Sequence, residues 1–177
     1  MTKPNYKVIA WGSILLLLAL ISAYAVEFQV FANTLDAQNL VVKSLLWGLV
    51  AGLLLGWQLG KHAGDTLAKF RVWTFCISML PLFAPLIGSW SNRLPVRHSR
   101  EVIQVEFFSE KAYAASRFGF FEGEKIEPEG YYIFIFKDGK MERLKSSKPR
   151  FPAAERGEMI PLTVINGLFG YEVVCWD

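Results

Sequence analysis

Gly48, Gly52, Gly56, Gly60 and Gly64 stand at every fourth position through one apolar stretch of this chain. Steps of four keep such positions on one slowly rotating ridge of a helix. A ridge made of glycine is a groove without side chains, so a second helix can approach it to backbone contact. The spacing therefore predicts packed membrane helices, and these five glycines, in the manner of a glycine zipper, are the candidate helix-packing residues.

Three apolar runs cover 8–26, 40–60 and 72–90. Each is close to the roughly 20 residues a helix needs to cross a hydrocarbon core. Trp11, Tyr24, Trp47, Trp57, Trp73 and Trp90 lie mostly toward the ends of the runs, where amphipathic rings favour the interface. Lys43, near the start of the second run, has a stem long enough to carry its ammonium to the headgroups. The first run has a competing explanation. Lys3 and Lys7 precede a short apolar core ending in Ala23, Tyr24 and Ala25, a pattern resembling a cleaved signal peptide.

Charge follows the same partition. Up to Arg100 there are nine Lys and Arg against three acids, and beyond it ten against thirteen. A helical membrane region over 1–95 is expected to precede a water-exposed domain over 101–177. Cys76 falls within an apolar run and Cys175 near the C-terminus, so the two are not expected to pair and do not report the redox compartment.

The loops give an orientation. The connection 27–39 carries Glu27 and Asp36 and no Lys or Arg, whereas 61–71 carries Lys61, His62, Lys69 and Arg71 against Asp65. By the positive-inside rule the N-terminus and the second connection are cytoplasmic, and a third crossing puts the C-terminal domain outside. Arg93, Arg97 and Arg100 oppose this assignment. Pro81 and Pro85 supply an alternative, a broken third segment that re-enters and returns to the cytoplasmic side; a kinked span is the preferred reading.

From residue 101 the periodicity changes to two. Ile103, Val105 and Phe107 alternate with Gln104 and Glu106, as in a half-buried strand. Asp138-Gly139 between 131–137 and 141–146 predicts a hairpin, and Asn166-Gly167 between 160–165 and 168–176 a second one. Residues 112–121 read as a short helix or another strand. The fold class expected is an α+β membrane protein, three transmembrane helices followed by a small antiparallel β domain of five or six strands.

Chemistry is sparse. His62 with Asp65 reads as a solvated interfacial pair, and His62 and His98 lie at opposite ends of the third run. Glu122, Glu124, Glu127 and Glu129 lack the spacing of an EF-hand. With no phosphate loop, nucleophile elbow or HExxH pattern, neither an enzyme nor a cofactor or metal site is expected. No ionisable residue falls at the centre of a run, which weighs against an ion-coupled transporter. The partners expected are the lipid bilayer and other membrane subunits or copies of the chain, not nucleic acid, with the bacterial cytoplasmic membrane as the location. The leading expectation is an accessory or scaffold subunit. The alternative is a small homo-oligomeric channel with a glycine-lined pore, and a membrane-anchored sensor is a weaker third reading.

Overall fold

The computed structural model describes residues 6–94, 100–114 and 128–176. Three helices come first, α1 (Tyr6–Phe31), α2 (Ala37–Gly60) and α3 (Thr66–Asn92). All three are long and apolar enough to cross a membrane, which marks the chain as a multi-pass membrane protein. Asp65 starts α3 by accepting the Ala68 amide at 2.5 Å, the usual task of an N-cap carboxylate. Pro81 and Pro85 lie inside α3, which remains one continuous helix.

Two compact units emerge, Met1–Phe28 with Gln38–Ser91, and Gln29–Ala37 with Asn92–Asp177. The division departs from the sequence boundary in two places. The second unit resumes at Asn92 rather than after residue 95, and the connection between α1 and α2, assigned above to the helical region, belongs to the β unit.

That unit holds β1 (Arg100–Tyr113), β2 (Gly130–Lys137), β3 (Lys140–Ser146), β4 (Met159–Asn166) and β5 (Glu172–Val174). The sheet order is β3-β2-β1-β4-β5, and every pairing is antiparallel. Alternation sends Val105, Phe107, Ile133, Ile135, Leu144, Ile160, Leu162 and Val164 into one core, with Ile103 packed at its margin. The expected strand around Ile103 is therefore present, lengthened to fourteen residues and irregular between Phe107 and Ser109. Ala112 and Tyr113 end β1, and the remainder of the 112–121 segment from residue 115 lies outside the described residues.

The two hairpin signals have different outcomes. Lys137 pairs with Lys140 across Asp138 and Gly139, whose φ angles of 50° and 73° are those of a type I′ turn. Gly167 has no such angle; a longer loop follows it, with the positive φ of 78° at Gly170. Asn92 explains the difference. Its Nδ2 donates to the Tyr171 carbonyl at 2.9 Å, its Oδ1 accepts from the Phe169 amide at 3.0 Å, and its carbonyl accepts from Leu168 at 2.8 Å. A Cβ on Gly167 would collide with that carboxamide, so glycine here admits a buried Asn rather than forming a two-residue turn.

A short segment before α2 joins the sheet through one bridge. Thr34 bridges Val173, the Leu35 amide donates to the Glu172 carbonyl at 2.8 Å, and Val174 donates to the Asn33 carbonyl at 2.8 Å. On its other side Asn33 Oδ1 accepts from the Lys145 amide at 2.9 Å, and the Asp36 amide donates to Glu142 Oε1 at 3.3 Å. The segment thus joins both edge strands, β5 and β3, and curls the sheet. Leu35 is buried in the same core.

Candidate functional site

Glycine governs the contact between α2 and α3. A Cβ at Gly48 would stand 2.5 Å from Ala84 Cβ and 2.8 Å from Pro81 Cα, and one at Gly52 2.7 Å from the Cys76 carbonyl oxygen. Neither neighbour yields easily, because the nearest atoms include backbone. Gly56 and Gly60 face the Trp73 indole, with hypothetical Cβ contacts of 3.4 Å and 3.0 Å. Gly64 differs. It lies beyond the end of α2 with nothing within 4 Å of its Cβ position, so it takes no part in this packing. From the other helix, a Cβ added to Gly88 would collide with the Ser44 hydroxyl and lie 3.1 Å from the Ser44 Cβ.

The ridge is therefore occupied by α3 of the same chain. Free of side chains, the α2 surface lets the α3 backbone approach, which in lipid replaces the hydrophobic drive available in water. The prolines are part of the contact, since Pro81 Cα faces Gly48 and Pro85 is fully buried. A pore lined by these glycines would need them uncovered, and Gly48, Gly52, Gly56 and Gly60 are buried.

The sequence places Glu27 in the connection 27–39, but the structure places it within α1. α1 continues to Phe31, which makes Glu27 a helical residue only 2% exposed. Its carboxylate accepts from Ser89 Oγ and from Trp90 Nε1 at 3.1 Å. A carboxylate removed from water requires such donors. The sequence signal was present but weak: Leu20, Ala23, Tyr24 and Glu27 share one helix face.

Among the described side chains of α1, burial begins only at Leu20. Every residue over 11–19 is exposed, including Trp11, Leu15 and Leu16 at 67%, 64% and 62%. Its apolar window is 6% buried, against 22% in α2 and α3.

His62 Nδ1 lies 3.2 Å from the Gln58 carbonyl, while Asp65 caps α3, so these two residues serve different local ends. His98, Glu122, Glu124 and Glu127 lie outside the described residues, and Glu129 is exposed. Among the described residues no group of three His, Cys, Asp or Glu is placed to hold a metal. Cys76 and Cys175 are free thiols.

In the β unit Asn33 and Trp176 are the positioning residues that sequence reasoning missed. Trp176 Nε1 donates to the Lys145 carbonyl at 2.9 Å and to Asn33 Oδ1 at 3.3 Å, closing the β3 edge at that residue. No local pattern announces a bond across 112 residues. On the sheet face opposite the core, Tyr113 stacks on Tyr132 at 4.4 Å, with Arg143 over the Tyr132 ring at 4.9 Å and Lys145 over the Tyr113 ring at 5.0 Å. The Tyr113 hydroxyl raises the Lys145 ammonium above the usual lysine range, against a smaller effect of burial. Comparison of the chain with protein-family models, with curated proteins and with solved structures gives no match.

Proposed function

We propose that this protein is a non-enzymatic accessory or scaffold subunit of a larger assembly in a bacterial cytoplasmic membrane. The observation that carries the reading is α1, whose residues 11–19 are apolar apart from Ser13 and are all exposed. Within a bilayer such a surface meets lipid or another helix, and Ala19 with Ala23 gives a small-residue step suited to close approach. The β unit supplies the aqueous contacts, with Tyr113, Tyr132, Arg143 and Lys145 on its outer face.

The proposed sidedness has the N-terminus in the cytoplasm and the β unit outside. Pairing of Thr34 and Leu35 with β5 supports it. Two spans, α2 and α3, separate that segment from the sheet, and two crossings return a chain to its starting side. A re-entrant third segment would put the pairing partners on opposite sides of the bilayer. A cysteine at Gly139, on the exposed hairpin tip, should be labelled from outside intact cells; labelling only after permeabilisation would reject this topology. For the assembly itself, the chain purified in mild detergent from its own membrane should migrate with a stoichiometric membrane partner or copy. An Ala19→Phe, Ala23→Phe variant should lose it. Migration of the unaltered chain as a lone monomer would overturn the scaffold reading.

A further inference from the structure

Arg93, Arg97 and Arg100 follow the third span, on the side that the proposed topology makes extracytoplasmic. Flanks there are ordinarily poor in Lys and Arg, so the cations call for a use other than orientation. Arg97 lies outside the described residues. Arg93 lines a cavity of about 360 Å³ together with Gln29, Val30, Leu94, Ile165 and Asn166, within the range of small-ligand clefts, about 300–1,000 Å³.

The lining has two characters. Val30, Leu94 and Ile165 are apolar, and Leu94 is 57% exposed. Arg93 and Gln29 bring donors, and no Asp or Glu is among the described lining residues. Asn166 donates to Glu101 at 2.8 Å. Gln29 and Val30 belong to the last turn of α1, and Arg93 and Leu94 follow the last residue of α3. Chain continuity alone therefore brings these four residues to the polar boundary where apolar spans end. A guanidinium offers a planar fork that matches two phosphate oxygens at once.

We propose that this cavity binds the headgroup of an anionic phospholipid, with Arg93 on the phosphate and Val30, Leu94 and Ile165 against the glycerol and the first methylenes. A free phosphate would leave those apolar side chains without a partner, so the lipid is the occupant. The proposal rests on the topology argued above.

Native mass spectrometry of the full chain in detergent, titrated with phosphatidylglycerol or phosphatidylcholine, tests it. The unaltered protein should retain phosphatidylglycerol in preference. Arg93→Gln should lower that retention about fivefold, the effect of one near-surface cation, and Arg93→Lys should lower it less. Leu94→Glu, at an exposed position, should also lower it and provides a second route should Arg93→Gln not fold. Equal retention by Arg93→Gln and the unaltered chain would overturn the site. Displacement by glycerol phosphate at matched concentration would overturn the lipid assignment. Labelling of the Gly139→Cys chain in parallel separates the two readings: outside labelling with undiminished retention in Arg93→Gln defeats the site alone, and labelling only after permeabilisation defeats the topology and the proposal with it.

Discussion

The helical unit and the β unit are built on opposite uses of side-chain volume. Between α2 and α3 close approaches occur where the side chain is missing, at Gly48 and Gly52 against the backbone around Pro81 and Cys76. In the β unit the centre is Ile133, Ile135, Leu144 and Val164, none more than 1% exposed. Solvent accounts for the contrast. Lipid tails are as apolar as leucine, so burying leucine between spans gains little and close van der Waals contact decides. In water each buried aliphatic side chain contributes about 1.5–3 kcal/mol.

Substitutions of opposite sense should therefore be worst in the two units. Gly52→Leu should have the largest effect, because even its Cβ would lie 2.7 Å from the Cys76 carbonyl oxygen before the rest of the side chain is placed. Loss of the native detergent-solubilised state is the expected outcome, read by size exclusion and thermal unfolding. Leu54→Ala, at a position 60% exposed, should change neither. Similar behaviour of the two variants would remove the distinction between ridge and lipid face.

Next comes truncation in the core of the sheet. Ile135→Ala should destabilise the β unit by about 2–5 kcal/mol, whereas shortening a lipid-facing leucine should not. Denaturant unfolding followed by near-ultraviolet signals of the aromatic residues would measure it, and a cost below that of an exposed-site control would contradict the core assignment.

Asn33→Ala examines the segment that belongs by sequence to the helices and by contact to the sheet. It removes the acceptor for the Lys145 amide, at a cost of about 1–3 kcal/mol for a group left without a partner, while Trp176 Nε1 keeps its bond to the Lys145 carbonyl. Hydrogen exchange should quicken at Lys145 first, and Asn33→Asp, which keeps an acceptor, should preserve protection there. Unchanged exchange in the alanine variant would mean that the segment is not needed to close the β3 edge.

The smallest effect is expected from Glu142→Gln. Burial raises the Glu142 carboxyl above its ordinary range, opposed by the Asp36 amide that donates to it. A raised acid binds its proton more tightly in the folded state. Its contribution is therefore complete below the unfolded value, about pH 4.3, and is lost as pH rises through the folded one. Gln should flatten that slope and leave the Asp36 contact in place. Because solvent screens this part-exposed group, the change should be a small shift in Tm between acid and neutral buffers, and a steeper slope in the variant would reverse the sign assigned here.

Local signals carried much of the fold. The apolar runs, the alternation at Ile103, Val105 and Phe107, and Asp138-Gly139 each specify structure through neighbours a few residues away. Asn166-Gly167 is chemically almost the same signal, yet its loop follows the hydrogen bonds of Asn92, more than seventy residues distant. The five glycines were legible as a ridge because helical period alone puts them on one face. Which helix covers that face, and that Gly64 lies beyond it, depended on how α2 and α3 meet.

By itself the sequence determined the apolar helices, the change to a two-residue period and the turn at Gly139, since hydrophobic spacing and backbone conformation are properties of short stretches. Tertiary structure alone decided that Glu27 is buried against Ser89 and Trp90, that Asn33 and Leu35 join a sheet formed by the other end of the chain, and that Gly167 receives Asn92. These depend on satisfying polar groups once water is excluded, and the atoms that satisfy them come from residues distant in sequence and near only after folding.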